Sequence, residues 1–589
     1  MALSGPSSQV APSSSATATK ASFDWPSRSS METASIYEEK TQLIDHYELE
    51  HDETAARSVR ENLTCWTLVR IEFLYLLSLL LRVSSRATGV RSLRLLNDRV
   101  MHAGWHTPFP SSTQLALSCL IKDLQTTAEY LLPSFLVSRL HSSVKQDPPR
   151  PTAFLDGLRG VAAFIVYCHH ISYWFFWIKS GWTPEHHHNW YSLPILTLVK
   201  AGPACVTVFF VVSGYSLSLK PIRQMRQGQA AAPLGTLQSM IFRRAFRLYL
   251  PIIASTFIYM LCINAGFFDA TRHAWEDKAI FTGITQEIHQ SAPSHFFSSE
   301  TGGLFHWLKD IIHVCVTRTT SNNDFGSWYD IHLWTIPTEF YASISLFVVL
   351  VAFAPCRSAV RFTGLVVLAV LAAVYDYYHM LLFFSGALLV ELNYMIADCA
   401  PSQLPTARPK PKKSSSLLSL GPDRSRSFAM AILGAGSFLT SLYLLSTPEW
   451  EYDRASFGYS VLTQYVPPGI AQPFRFWWSI GSVLLLFMIS NVAFLRRLFS
   501  TAVCRYLGRI SFAFYLVHGL VSHLVGFVTF RAILSGIDQT STTIYALGWT
   551  AAFVVTTACV IWAADLFTRT VDEPVIRLAR RLEDMSHSS

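Results

Sequence analysis

From Phe154 to Leu566 the chain repeats one pattern, an apolar stretch of roughly 17–25 residues followed by a polar break, and each stretch is long enough to cross a hydrocarbon layer as a helix. Ten such stretches fall at about 154–178, 195–219, 249–266, 332–354, 360–376, 378–396, 428–446, 476–494, 510–530 and 543–566. In lipid a backbone finds no water to bond, so every N–H and C=O must be satisfied within its own segment, which a helix does. The pattern therefore predicts an all-α fold, a polytopic membrane protein with about ten transmembrane helices. Composition agrees: 51% of the 589 residues are hydrophobic and 15% are charged, against about 25% charged in a soluble domain.

The net charge of +8 is carried by short basic clusters between apolar runs. That distribution fits loops beside an anionic leaflet and excludes a nucleic-acid binder, which needs a basic domain or stacking platform. Lys and Arg concentrate after the second, fourth, sixth and eighth stretches and in the tail, for example Lys220 and Arg223, Arg357 and Arg361, Lys410 and Lys412, Arg496 and Arg497, Arg577 and Arg580. By the positive-inside rule both termini are expected to be cytoplasmic. Asn62, in the only Asn-x-Ser/Thr sequon, would then be unglycosylated.

The expected organisation is a disordered cytoplasmic tail over 1–60, an amphipathic or interfacial helical segment over 61–150, a ten-span domain over 151–580 and a short tail over 581–589. The opening residues lack the apolar core of a signal peptide. Segment 67–82 is apolar but short and carries Arg70 and Glu72, so it reads as an interfacial helix. Within the spanning domain, 267–330 is an external loop and the Pro-, Ser- and Lys-rich 401–427 a cytoplasmic linker.

Ionisable residues inside a span are costly and mark function by default. The first stretch holds Arg159 and His170, eleven residues apart. That is about three turns, which puts both side chains on nearly one face, about 16 Å apart along the axis. Arg159 then sits at the cytoplasmic mouth and His170 near the midplane, either as a snorkelling cation and a structural histidine or as the lining of a polar cavity. His169 is rotated about 100° away and faces elsewhere. At the start of the third stretch, FRRAFRLYLP places Arg244 and Arg247 on one face with Arg243 beside them. Forked guanidiniums there suit phosphate, of a lipid headgroup or of a nucleotide-bearing donor. Glu339 follows Pro337 in the fourth stretch, where the proline is expected to loosen the helix, and His518 lies in the ninth. Glu391 and Asp565 lie near cytoplasmic ends and read as structural. The ten scattered cysteines show no ligand spacing, and the run His186, His187, His188 cannot turn three rings onto one ion, so no metal is expected.

Six motifs in consistent order, FLDGLRGVAAFIVYCHH, VFFVVSGYSLS, RRAFRLYLP, LWTIPTEFY, LGRISFAFYLVHG and ADLFTRTVDEP, resemble membrane acyltransferase family 3, which includes glycan O-acetylases and a large fungal branch; the likeness covers about 150–580. The resemblance implies a ten-helix bundle around a central cavity and transfer of an acyl group, above all acetyl, from acyl coenzyme A to a hydroxyl. It places the family's Arg-x10-His pattern on Arg159 and His170 and its Arg-x-x-Arg pattern on Arg244 and Arg247. Where many bacterial members carry two adjacent acids, this chain has Glu339 followed by Phe340. The expected roles are general base for His170, with a transient acyl-imidazole on the same ring as the alternative, donor binding for Arg243, Arg244 and Arg247 with Arg159 at their side, and orientation of His170 or of the acceptor for Glu339 and His518. The co-substrate is acetyl or another acyl coenzyme A with no bound cofactor; the partners are the lipid bilayer and a hydroxyl-bearing acceptor. A transporter with an intramembrane His/Glu proton relay is the first alternative, and a silent scaffold the second; the former usually carries an inverted repeat, which is not visible here.

Overall fold

In the computed structural model the described residues are 129–140, 150–176, 181–183, 190–229, 232–268, 271, 274, 277–283, 303–316, 327–399, 422–449 and 458–587. They contain helices and 3-10 or π turns and no strand. The helices run α1 (Ser134–Leu140), α2 (Ala153–Tyr173), α3 (Gly202–Arg226), α4 (Ala232–Asn264), α5 (Leu304–Val316), α6 (Thr335–Ala352), α7 (Ser358–Val374) and α8 (Tyr378–Cys399). After these come α9 (Pro422–Leu445), α10 (Pro473–Asn491), α11 (Ala493–Phe499), α12 (Ala502–Val521), α13 (Phe527–Leu534), α14 (Thr542–Phe567) and α15 (Glu573–His587). Segments 67–82 and 1–60, Asn62 and the run His186–His188 lie outside the described residues.

Each of the ten apolar stretches coincides with a helix, and among the described residues seven helical segments are long and apolar enough to cross a membrane. The other three are α2, whose apolar run is diluted by Asp156, Arg159, His169 and His170, and the shorter apolar stretches of α7 and α9. The protein is an all-helical integral membrane protein, and the full count of ten spans is not reached by length and hydropathy.

Three boundaries differ from the sequence expectation. The second stretch starts its helix at Gly202 rather than 195, because a 3-10 turn over Leu196–Lys200 precedes it and Pro203 occupies the first turn, where its missing N–H costs nothing. The third is already helical from Ala232, so the arginines of FRRAFRLYLP lie well inside one long helix. Helix α9 begins at Pro422 and so takes in the last residues of the expected 401–427 linker. Pro337 also behaves differently from expectation: it sits in the first turn of α6, a position that tolerates proline without loosening the helix.

Helix α2 is the axis of the packing. Its Leu155, Leu158, Ala162 and Val166 join a buried cluster with α3, α6, α8 and α10, while its Ala163, Tyr167 and Ile171 join a second with α12, α13 and α14. Being covered on both sides by protein, it can carry polar residues that a lipid-facing helix could not. Glycine makes the closest contact possible: a Cβ built on Gly160 would stand 2.4 Å from the Gly508 backbone nitrogen, and one on Gly508 2.2 Å from the Asp156 carbonyl oxygen. Small residues of this kind let two membrane helices approach backbone to backbone. Replacing Gly160 by leucine is therefore expected to force α2 and α12 apart and cost at least about 1–3 kcal/mol, read as a lowered thermal midpoint of the purified protein by tryptophan fluorescence. An unchanged midpoint would contradict this packing.

The buried acids at the helix ends tie neighbouring helices together. Glu391 on α8 accepts from Arg361 Nη2 at 2.6 Å and Ser358 Oγ at 2.5 Å on α7, and pairs with Arg226 of α3 at 3.4 Å. Asp565 on α14 pairs with Arg569 at 2.9 Å and accepts from the Ser134 backbone N–H at 2.9 Å, tying α1 to the bundle.

Candidate active site

Arg159 and His170 of α2 belong to two groups stacked along its length. The first surrounds Glu339. On α6 its Oε1 accepts from Arg244 Nη2 of α4 at 2.9 Å and from Ser213 Oγ of α3 at 3.0 Å, and the same serine hydroxyl accepts from Arg159 Nη2 at 3.3 Å. One carboxylate thus holds guanidiniums from two helices, one directly and one through a hydroxyl. Arg247 is exposed, within electrostatic reach of Arg159 and Arg244. Arg243 is placed elsewhere: its Nε pairs with Glu583 of α15 at 3.2 Å, because one residue along a helix turns a side chain by about 100°.

The second group is a cluster of three imidazoles. His170 Nδ1 stands 3.2 Å from His332 Nε2, and the His170–His332, His332–His518 and His170–His518 ring centroids are 4.0, 4.7 and 5.4 Å apart. Behind His332 lies Asp330, whose Oδ1 is 2.6 Å from His332 Nδ1 and 2.9 Å from its backbone nitrogen. Burial alone would raise the Asp330 carboxyl, but the His332 ring and its N–H bonds, with His518 nearby, outweigh it and hold the group below its ordinary value. A carboxylate accepts and cannot donate, so His332 carries its proton on Nδ1 and presents the lone pair of Nε2 to His170. His170 then donates from Nδ1 and keeps a lone pair on Nε2. His518 is fixed in the same way, since its Nδ1 faces the Tyr515 carbonyl oxygen at 2.7 Å.

Beside the histidine group lies Tyr515, whose hydroxyl is bonded to Thr335 Oγ1 at 2.7 Å and to the His332 carbonyl oxygen. His332 and Glu339 are seven residues apart, two turns, so one face of the same segment serves both groups. His169 turns away, as its position on the helix predicts, and bonds the Lys200 carbonyl oxygen at 2.5 Å.

Of the residues singled out from sequence, the structure brings His170 together with His518, and Arg159 with Arg244 and Glu339. It does not put Glu339 beside His170; the carboxylate behind the histidines is Asp330. Asp330, His332, Ser213 and Tyr515 were missed. The signal for the first two was the tripeptide Asp330–Ile331–His332 at the mouth of the fourth stretch, an ionisable pair where apolar residues are expected; Ser213 was visible inside VFFVVSGYSLS.

A family model described as an acyltransferase domain matches residues 152–565, which includes every residue of both groups. The chain is 30% identical over 447 residues to an O-acetyltransferase, PaAT-1, of Phomopsis amygdali, covering 73% of this chain and 84% of the relative. It is 27% identical over 470 residues to acyltransferase R4 of Phoma sp. (74% and 97%) and 26% identical over 470 residues to acyltransferase clz18 of Cochliobolus lunatus (74% and 96%). No solved structure matches the chain.

Proposed function

The chain belongs to this family of membrane acyltransferases and is a transferase of acyl groups, and we propose that its donor is an acyl coenzyme A, acetyl before others, and its acceptor a hydroxyl. The observation that carries this reading is the stacking of an arginine group and a histidine group along one helix. Arg244 and Arg247, with Arg159 behind them, supply fixed guanidiniums for the phosphates of the donor. Arg159 and His170 are about 16 Å apart along the axis of their shared helix, a gap that an extended pantetheine arm bridges. At its far end His170 Nε2 takes the proton of the acceptor hydroxyl, the oxygen attacks the thioester carbonyl, and the tetrahedral intermediate collapses to the ester. The departing thiolate takes up a proton and leaves as free coenzyme A. A base with a pKa near neutrality suits this task, and imidazole is the side chain that has one. The name of the Phomopsis relative supports a hydroxyl as acceptor and acetyl as the group moved. With the basic segments facing the cytoplasm, as the positive-inside rule requires, the donor enters from that side.

The test is transfer of label from acetyl coenzyme A by the purified full-length protein in lipid nanodiscs, with release of free thiol, using hydroxyl-bearing glycans, lipids and secondary metabolites as acceptors. Coupled ester formation and thiol release are the expected result; pH-driven solute movement without consumption of donor would replace it with the transporter reading. Acetyl profiling of a deletion strain identifies the acceptor class. Removal of both donor-side guanidiniums, Arg244→Ala with Arg247→Ala, is expected to raise the donor KM about 10- to 100-fold, the worth of one or two charged hydrogen bonds. An unchanged KM would assign these arginines to lipid headgroups.

A further inference from the structure

We propose that His170, His332 and His518 form a binding site for a zinc-class transition-metal ion, and that occupation of this site and general-base action by His170 exclude one another. The sequence alone pointed to no metal here, because the three rings come from positions 170, 332 and 518 and share no spacing motif.

The geometry is that of a three-imidazole site. One ring nitrogen from each histidine lies within 4.8 Å of the other two. The tightest pair, His170 Nδ1 and His332 Nε2, stands 3.2 Å apart, close to the edge of about 3.3 Å that two nitrogens span when each is about 2.0–2.1 Å from a tetrahedral ion. The outer partners match as well. A metal-bound imidazole commonly gives its other N–H to a carboxylate or a backbone carbonyl, which fixes both tautomer and ring orientation. His332 has Asp330 in that place and His518 has the Tyr515 carbonyl, so both turn an Nε2 lone pair inward.

Hydrogen bonding within the cluster does not use up those lone pairs. His332 Nε2 can accept from His170, but His518 Nε2 has no hydrogen-bond partner among the described residues although His518 is 1% exposed. A buried acceptor without a donor is costly. A divalent ion satisfies all three nitrogens together and keeps an open fourth position for water or another ligand. The neutral imidazole that binds the ion through Nδ1 must carry its proton on Nε2, so a metal-bound His170 cannot accept the proton of an acceptor hydroxyl. The exclusion rests on the base assigned to His170 under the proposed function; the binding does not.

Full-length protein in nanodiscs, stripped with a chelator, is titrated with cobalt(II) in the absence of any acyl donor. The expected result is one saturable equivalent with the visible absorption of four-coordinate cobalt, weakened at least tenfold by His518→Ala and by His332→Ala, and unaffected by alanine at His186, His187 and His188 together. Where a cluster variant fails to insert, zinc K-edge absorption on the wild type counts the imidazoles, with three expected. No saturable binding, fewer imidazoles, or loss of binding in the His186–His188 variant would overturn the site. One equivalent of zinc is expected to stop acyl transfer and a chelator to restore it; transfer that rises with bound zinc would overturn the exclusion. Absence of transfer by the metal-free enzyme, with cobalt binding intact, would count against the proposed reaction and leave the site standing.

Discussion

Alanine at His170 is expected to reduce acyl transfer about 10²- to 10⁴-fold, the usual contribution of a positioned base, with the protein still inserted and monodisperse. His170 Nδ1 is engaged by His332 Nε2, which leaves the His170 Nε2 lone pair for the acceptor hydroxyl while the His332 lone pair is taken up by His170. The measurement is label transfer from acetyl coenzyme A in nanodiscs, with kcat and donor KM determined separately. A loss confined to kcat fits a base. Wild-type turnover by a normally inserted variant would remove His170 from the chemistry.

The second large effect is expected from Asp330→Ala, which removes the acceptor that keeps the His332 proton on Nδ1. One oxygen, Asp330 Oδ1, accepts from both Nδ1 and the backbone N–H of His332, so asparagine would leave its amide oxygen in place, whereas alanine leaves no acceptor. His332 then carries its proton on Nε2, facing His170 Nδ1, so the His170 proton moves to Nε2 and the base is lost. The wrong tautomer of a catalytic histidine costs about 10⁴-fold in the serine proteases; here a loss of about 10² to 10⁴ is expected, because one more ring lies between the acid and the substrate. Since Asp330 acts through His170, the double variant His170→Ala with Asp330→Ala should be no slower than His170→Ala alone. Independent, multiplying losses would show that Asp330 serves the enzyme some other way.

How far these residues could be read in advance depended on where their neighbours lie. Arg159 and His170 share a helix, and a fixed 3.6-residue period relates them, so their common face was legible from spacing. Arg244 and Arg247 were legible for the same reason, whereas Arg243 was set apart only by Glu583 on a helix that begins 330 residues later at Glu573. Glu339 was recognised as an acid inside an apolar stretch, but nothing in its surroundings along the chain said that Arg244 and Ser213 would hold it while Asp330 took the place behind the histidines. His332 escaped notice because it falls in a 3-10 turn at the end of a long loop, where an imidazole has many ordinary uses.

The chain by itself determined that it crosses lipid as a set of helices, because the bilayer leaves no other way to satisfy a backbone, and it determined the register of polar groups within each helix. Which helix stands against which was decided only in three dimensions, by glycine contacts such as Gly160 on Gly508 that no period encodes. The histidine cluster is a product of that packing: three imidazoles and a carboxylate from distant segments acquire defined tautomers only once close approach has brought them within hydrogen-bonding distance.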